Sequence, residues 1–262
     1  MRNPTMELSS VDAAYAALYG TLDRCTDRLM RAPSGLPGWS GAELVTHLAR
    51  NADANRRMAE GAIWGELIPR YAGGAEQREA EIGRGRGRTA HEAIADLEQA
   101  QQALVATWSR MPDDAWDRPT LALAGTRPAW RGVWARWREI EIHHVDLDLG
   151  YEPEHWPRCF VERALVSVVG GIPARWSGPA LTDGRSWLLQ ATDTGKQWRV
   201  VQRGATVEVT EGDSDETDAV VSGVSYALLV WLLGRRQPEQ VQLTCANDPE
   251  LSYSLPRGAP YP

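Results

Sequence analysis

Apolar side chains in the first half of the chain recur every three or four residues, the spacing of helices with one buried face. The first such stretch covers residues 11–30, and Ser9 or Ser10 is placed to cap its first turn. Ser40 and Glu43 match the capping-box pattern, in which each side chain bonds the backbone of the other residue, directly before a second apolar stretch. The pattern therefore predicts two successive helices.

The third predicted helix starts at a second capping box, formed by Thr89 and Glu92, and continues to Trp108. Glycine and arginine alternate in the stretch before it, residues 83–88. Each glycine inside a helix costs about 1 kcal/mol relative to alanine, so we expect a loop there. The composition resembles a nucleic-acid-binding segment, but the absence of interleaved aromatic residues favours a solvated loop.

A fourth helix is predicted for residues 130–149, after a turn-rich stretch over residues 111–126. Pro128 suits a first helical turn, where its missing N–H is not needed, and Gly150 suits a C-terminal cap. Four long amphipathic helices joined by modest connections indicate a four-helix bundle, a fold that commonly builds metal sites from facing helices.

The pattern changes after Pro153, where short alternating segments replace the long helical ones. Residues 186–190 and 197–202 predict two strands of a hairpin, with Gly195 supplying the positive φ of its turn. Further helices are predicted at residues 160–169 and 226–233, and further strands at residues 205–210 and 241–245. We therefore predict a helical domain over residues 7–152 and a smaller α+β domain over residues 153–262.

Composition and charge narrow the classes of function. Apolar residues make up 43% and charged residues 24% of the chain, as in ordinary globular proteins. The formal charge of −7 does not suit a surface that follows phosphates, so we expect no nucleic-acid partner. No apolar run is long enough for a bilayer and the N-terminus lacks a signal-peptide core, which predicts a cytoplasmic protein without a membrane partner. The three cysteines are far apart and odd in number, which predicts reduced thiols.

Glu139 and His143 are the first candidates for chemistry, because a spacing of four places both on one face of the fourth helix. His47, on the second helix, is the natural third ligand of a metal held inside a bundle. Two imidazoles and one carboxylate leave tetrahedral zinc with an open fourth position, as in catalytic sites. The same spacing is also common in ordinary helices, where Glu139 is a solvated charge and His143 a core or capping histidine.

Other polar residues near this pair have less certain roles. Asp146 lies on the same helix face, where it either supports a ligating histidine or carries surface charge. Glu141 points away from that face and is predicted to be solvated. His144 has no assigned role, while His91 and His155 are predicted to lie at the surface.

Two segments, residues 36–49 and residues 138–147, resemble the metal-bearing helices of a known family. They are similar to the corresponding helices of the mycothiol-dependent maleylpyruvate isomerases, which belong to a wider group of DinB-like metalloenzymes. The resemblance covers most of the chain. It implies a DinB-like four-helix bundle followed by a smaller α+β domain similar to sterol-carrier proteins.

The resemblance also implies particular site residues. The positions that match the family's zinc ligands are His47, Glu139 and His143. A divalent metal, expected to be zinc, is therefore implied, although such a ligand set discriminates poorly against nickel, iron or manganese. Residues 222–235 resemble the family's C-terminal helix, which makes Arg235 the candidate for an active-site arginine that reaches across from the second domain. Arg78 resembles another recurring family position, with an exposed loop arginine as the alternative.

The implied activity is isomerisation of maleylpyruvate to fumarylpyruvate in aromatic catabolism, with mycothiol as the thiol cosubstrate. Its mechanism is addition of a metal-activated thiolate, bond rotation and elimination, with Arg235 and Arg78 holding carboxylates. A thiol S-transferase acting on another electrophile and a non-catalytic small-molecule-binding protein remain alternatives. A metal-dependent hydrolase is less favoured, because only Asp146 offers a general base. The expected partners are thus a small molecule and a thiol, and the oligomeric state is not predicted.

Overall fold

The protein is described here by a computed structural model that covers residues 4–122, 125–176, 184–212, 216–253 and 255. Its chain forms two compact units, of which the first ends at Tyr151 and the second begins at Glu152. The first unit is mainly helical, and the second combines one sheet with helices. This confirms the predicted fold class, a helical bundle followed by a smaller α+β region. No helix within the described ranges has both the length and the apolar character needed to cross a membrane.

The first unit is built around four long helices, with α3 packed against α5 and α6, and α1 packed against α6. Apolar residues from these helices, among them Leu18, Leu48, Leu97 and Ile140, are fully buried and form its core. Its elements are α1 (Thr5–Leu22), α2 (Asp27–Arg31), α3 (Gly41–Trp64), α4 (Gly74–Gly83), α5 (Ala90–Ser109), the strands β1 (Pro119–Ala122) and β2 (Gly125–Pro128), and α6 (Arg131–Asp146).

Both predicted capping boxes are present and fix the starts of the two helices in the closest pairing, α3 and α5. The Ser40 N–H donates to the Glu43 carboxylate at 2.9 Å, and the Thr89 N–H donates to the Glu92 carboxylate at 2.8 Å. These bonds satisfy backbone groups that would otherwise lack partners at a helix start. The cap at Ser40 fixes the first residue of α3 and so sets the register of His47.

The first helix differs from its prediction at both ends. It begins before Ser9 and Ser10, and both hydroxyls donate to the Met6 carbonyl at 2.9 Å instead of capping. This is the usual bond of serine inside a helix, where backbone N–H groups already have partners. The helix also stops at Leu22, and Thr26 caps the separate short helix α2.

The glycine-arginine stretch is not the loop that was predicted. Helix α4 runs up to Gly83, and residues Arg84–Gly87 form a 3-10 turn against α3. Glycine is needed here for close approach, because a Cβ on Gly85 would lie 2.3 Å from Thr46 Oγ1 and 2.7 Å from Thr46 Cβ. The turn therefore packs closely against α3 at Thr46, the residue before His47.

Substituting Gly85 by alanine is expected to destabilise the protein by about 1–3 kcal/mol, because the added methyl overlaps Thr46 and forces the turn away from α3. Gly87→Ala is the matched control, since a Cβ there meets nothing within 4 Å. Urea unfolding of both variants measures the difference, and equal stabilities would contradict this close packing.

Two predictions around the fourth helix are wrong. Pro128 does not open the helix: it ends β2 and pairs with Pro119 across an antiparallel hairpin that was not predicted. Proline is tolerated at such a strand end because no ladder N–H is needed there. Helix α6 begins at Arg131 and ends at Asp146, short of the predicted end near Gly150.

The second unit contains a five-stranded sheet whose strands lie in the order Thr206–Glu211 (β5), Lys196–Arg203 (β4), Ser186–Ala191 (β3), Ala219–Gly223 (β6) and Thr244–Ala246 (β7). The predicted hairpin turn is present, with Gly195 at φ +70° and its N–H bonded to the Ala191 carbonyl at 2.8 Å. Strand β6 was not predicted; it pairs in parallel with β3. The helices and strands of the second unit are α7 (Arg158–Gly170), α8 (Ile172–Arg175), β3 (Ser186–Ala191), β4 (Lys196–Arg203), β5 (Thr206–Glu211), β6 (Ala219–Gly223), α9 (Ser225–Leu232), β7 (Thr244–Ala246) and α10 (Pro249–Tyr253).

The last strand is shorter than the prediction, because Pro238–Val241 forms a 3-10 turn and the strand starts only at Thr244. Helix α9 ends at Leu232, and Gly234 follows with φ +75°, as expected for a glycine after a helix. The core of this unit is formed by buried side chains that include Trp187 and Trp231, each 0% exposed.

Candidate metal centre

His47, Glu139 and His143 converge inside the first unit. The Glu139 Oε2 atom lies 3.0 Å from His47 Nε2 and 3.4 Å from His143 Nε2. One candidate ligand atom from each residue falls within 4.8 Å of the other two. The imidazoles are 3% and 2% exposed, whereas Glu139 is 24% exposed. The two imidazoles are therefore buried, and the Glu139 side chain is partly exposed.

The donor set fits a divalent metal. Two imidazole nitrogens and one carboxylate oxygen are ligands that zinc accepts, and three protein ligands leave a further coordination position for a substrate. His47 comes from α3 and the other two ligands from α6, so a bound ion would join two helices of the bundle. The arrangement therefore suits a catalytic ion better than a structural one, which typically takes four protein ligands.

Asp146 supports His143 directly. Its Oδ2 atom lies 2.9 Å from His143 Nδ1, and both side chains are 2% exposed. A carboxylate there holds a proton on Nδ1, so Nε2 is the nitrogen that faces Glu139 and would bind a metal after losing its own proton. Of the two interpretations left open by the sequence, the surface one is wrong, and the support of a ligating histidine stays a prediction.

The surroundings of the two histidines shift their pKa values in opposite directions. Burial lowers the pKa of His47 to about 4, so this imidazole is neutral at pH 7. Burial opposes protonation of His143 as well, but hydrogen bonds to Asp146 and Glu139 outweigh it and raise the pKa of His143 to about 9. The same two histidines hold the pKa of Glu139 well below its usual range, against the effect of its own burial.

Metal uptake is therefore expected to depend on pH through one proton. Below its pKa of about 9, His143 carries a proton that a metal must displace, so the apparent affinity rises about tenfold for each pH unit and levels off above that pKa. His47 adds no slope in this range because its pKa is about 4. Zinc competition with a chelating dye across neutral to alkaline pH measures the slope. A flat profile would contradict the protonated state of His143.

Arg78 and two aromatic residues surround the ligands. The Nη2 atom of Arg78 lies 3.3 Å from His47 Nδ1, and its guanidinium also bonds the Tyr71 hydroxyl. The Trp39 ring stands edge-on to His47 with 5.5 Å between centroids. Arg78 lies on α4 with a side chain only 20% exposed, so the alternative of an exposed loop arginine is wrong.

Glu141 is not solvated, contrary to its prediction. It is 1% exposed and accepts hydrogen bonds from Trp137 Nε1 at 3.0 Å and from the Tyr151 hydroxyl at 2.8 Å. Burial raises the pKa of this carboxyl, although both hydrogen bonds oppose the rise. His144 is buried as well, stacked on Tyr151 at 3.7 Å and bonded to Thr21 Oγ1 at 2.8 Å. Glu141 and His144 therefore connect α6 to Tyr151, and His144 also connects it to Thr21 on α1.

The remaining candidates are not members of this group. His91 and His155 are exposed, as predicted. All three cysteines are free thiols, as predicted, and Cys159 is exposed. Arg235 follows α9 in the second unit and donates to the Leu233 carbonyl at 3.0 Å. Its reach towards the metal ligands stays a prediction.

A comparison with known protein families identifies the family of this chain. Residues 11–148 match the family model described as the mycothiol maleylpyruvate isomerase N-terminal domain, and this match spans more than half of the chain. The chain belongs to this family. No curated protein matched the chain.

Solved structures show the same fold along nearly the whole chain. A crystal structure of the mycothiol-dependent maleylpyruvate isomerase superposes with a TM-score of 0.76 at 22% identity, covering 90% of each chain. A histidine-to-alanine mutant of the mycothiol-dependent maleylpyruvate isomerase gives a TM-score of 0.77 at 21% identity and covers 94% of this chain and 93% of its own. This family member therefore keeps both the helical and the sheet regions of those structures.

Proposed function

We propose that the protein is a metal- and mycothiol-dependent cis-trans isomerase that converts maleylpyruvate to fumarylpyruvate. The observation that carries this proposal is the convergence of His47, Glu139 and His143 in a member of the maleylpyruvate isomerase family. The solved structures that share the fold are of an enzyme with that activity in its name. The proposed location is the cytoplasm, where thiols are kept reduced.

The proposed ion, zinc, would be held by the two imidazoles and Glu139, and would favour the thiolate form of a coordinated thiol. The proposed nucleophile is the thiol of mycothiol. Burial raises the pKa of Cys25 and of Cys245, so both remain thiols at neutral pH, and no described cysteine belongs to the group formed by His47, Glu139 and His143. A thiol cosubstrate therefore fits the site better than a protein cysteine.

The proposed reaction balances without any other reagent. The thiolate forms a C–S bond at one carbon of the cis double bond, and the displaced electron pair moves onto the conjugated carbonyl as an enolate. The former double bond is now single and rotates. The enolate then returns its electron pair, re-forms the double bond in the trans geometry and breaks the C–S bond, which releases the thiolate.

Arg78 is proposed to stabilise the negative charge on the substrate. When His47 binds an ion through Nε2, its remaining proton sits on Nδ1, which then no longer accepts a bond from Arg78. The guanidinium is thereby free to pair with a carboxylate or with the enolate oxygen. Arg235 is proposed as a second carboxylate ligand, as the family resemblance implies.

An assay of the zinc-loaded protein with maleylpyruvate and mycothiol tests the proposal. The expected result is thiol-dependent formation of fumarylpyruvate while the total free thiol stays constant. Stoichiometric loss of thiol would indicate an S-transferase instead, and binding without turnover would indicate a non-catalytic binding protein. Either result would overturn the isomerase proposal.

A further inference from the structure

Three arginines outside the predicted site belong to the charged surroundings of Glu139. Arg138 precedes it on α6, Arg127 lies on β2 immediately before that helix, and Arg70 lies in the segment between α3 and α4. The charge on Arg127 interacts with those of Arg70, Arg138 and Arg131 and, more weakly, with that of Glu139. Tyr71, next to Arg70, contacts Arg78, so this group adjoins the surroundings of His47. We call these three residues the arginine wall.

The arginine wall offers buried hydrogen-bond donors that the fold does not use. In the described part of the chain, Nε and Nη2 of Arg127 and Nε of Arg70 are buried without a hydrogen-bond partner. No carboxylate within the described residues forms an ion pair with Arg70 or Arg127. A guanidinium donor left buried without an acceptor costs folding free energy, so its presence needs a reason.

The local charge balance is also positive. Glu139 is the acidic group whose charge acts on Arg127, and it is already shared between two histidines. Burial, followed by the like charges of Arg70 and Arg138, lowers the pKa of Arg127 to about 10. Such an arrangement is unfavourable for folding alone, and an anionic ligand would relieve it.

We propose that the arginine wall binds a carboxylate of the substrate beside the metal centre, with Arg127 as its principal donor. The choice of a substrate carboxylate rests on the proposed function. Guanidinium groups suit this role because their fork of N–H donors matches the two oxygens of a carboxylate. With Arg78 near His47, the site then takes substrates that carry two carboxylates close to an electrophilic double bond.

Titration calorimetry with maleate, a stable cis-dicarboxylate, tests the wall without requiring turnover. The zinc-loaded wild type is compared with Arg127→Gln and Arg70→Gln. The matched control is Arg28→Gln, which removes an exposed arginine of the same unit. We expect the two wall variants to bind maleate roughly tenfold or more weakly, and the control to stay within about twofold of wild type.

Thermal unfolding shows whether a substitution in the arginine wall weakens maleate binding directly or destabilises the fold. Because Arg127 has no carboxylate partner among the described residues, Arg127→Gln is expected to unfold at or above the wild-type Tm in the absence of maleate. If glutamine prevents folding, Arg127→Lys keeps the charge but loses the fork, and weaker maleate binding is again expected. A lower Tm together with unchanged maleate affinity would assign Arg127 to structure and overturn the proposal.

The variant His47→Ala tests whether maleate binds to the arginine wall or to the metal. We expect this variant to retain maleate binding that still depends on Arg127 and Arg70, because the wall does not include a metal ligand. Maleate binding that disappears in His47→Ala but persists in both wall variants would overturn the proposal. If only the proposed function is wrong, isomerisation is absent but maleate binding still requires the arginine wall. If only the arginine wall is wrong, isomerisation occurs and both wall variants bind maleate as tightly as wild type.

Discussion

His47→Ala is expected to lose the bound zinc and to lower thiol-dependent isomerisation by roughly 10³-fold, the equivalent of several kcal/mol of charge stabilisation at the reacting centre. His47 is the ligand candidate that α3 contributes, and its pKa of about 4 keeps it neutral and ready to bind metal at pH 7. Elemental analysis measures zinc per chain, and product formation measures isomerisation. His143→Ala is expected to give the same double loss.

The control for this experiment is His91→Ala, which removes an exposed histidine outside the group and should leave both zinc content and rate unchanged. Circular dichroism and the unfolding midpoint establish that each variant is folded. A folded His47→Ala protein that keeps stoichiometric zinc would show that this residue is not a ligand. Zinc-free wild type, still empty after incubation with zinc, would remove the basis for the proposed chemistry.

Asp146→Ala is expected to weaken intrinsic zinc affinity by roughly 10- to 100-fold, because His143 loses the carboxylate that orients its ring and makes it a better donor. The same variant lowers the pKa of His143, which reduces proton competition at neutral pH and partly hides the loss. Zinc affinity must therefore be compared above the wild-type pKa of about 9, where the full difference appears.

The variant should also lose most of the pH dependence of zinc affinity between neutral pH and the wild-type pKa. Asp148→Asn is the matched control: it changes an exposed carboxylate near the same helix end, and asparagine tolerates its φ of +56°. Asp146→Asn keeps an acceptor for the His143 N–H and should fall between alanine and wild type. Unchanged affinity and slope in Asp146→Ala would refute the supporting role of this carboxylate.

Local signals in the sequence predict the parts of the fold that depend on neighbouring residues. The capping boxes at Ser40 and Thr89 were predictable because each partner lies three residues away. The spacing of Glu139 and His143 likewise placed them on one helix face, and the structure brings His47 to them. Their role as ligands stays a prediction.

The errors arise where distant partners decide the structure. Pro128 suits either a helix start or a strand end, and only its pairing with Pro119 selects the strand. Strand β6 depends on parallel pairing with β3, which leaves no local pattern. Glu141 was placed in solvent because α6 was treated as having one exposed face, whereas every residue from Ile140 to Asp146 is buried. The isoleucines on both sides of Glu141, followed by two histidines and a valine, were the available signal.

The proposed arginine wall was missed for a related reason. Arg127 and Arg70 are far apart in sequence and carry no shared motif, and arginine is usually exposed. Only their buried donor atoms without partners, and the interaction of Arg127 with the charge of Glu139, make them unusual. Sequence reasoning can therefore find ligands that repeat along one helix more easily than it can find charges that a hairpin and a loop bring together.

The separation of 92 residues between His47 and Glu139 also affects biogenesis. Contacts between such distant positions form late in folding, so a nascent chain has no complete ligand set until α6 has docked. A metal that prefers the native chain then stabilises it by mass action, increasingly as the free metal concentration rises. Scarcity of metal during synthesis would thus reduce the amount of folded protein as well as the activity of each molecule.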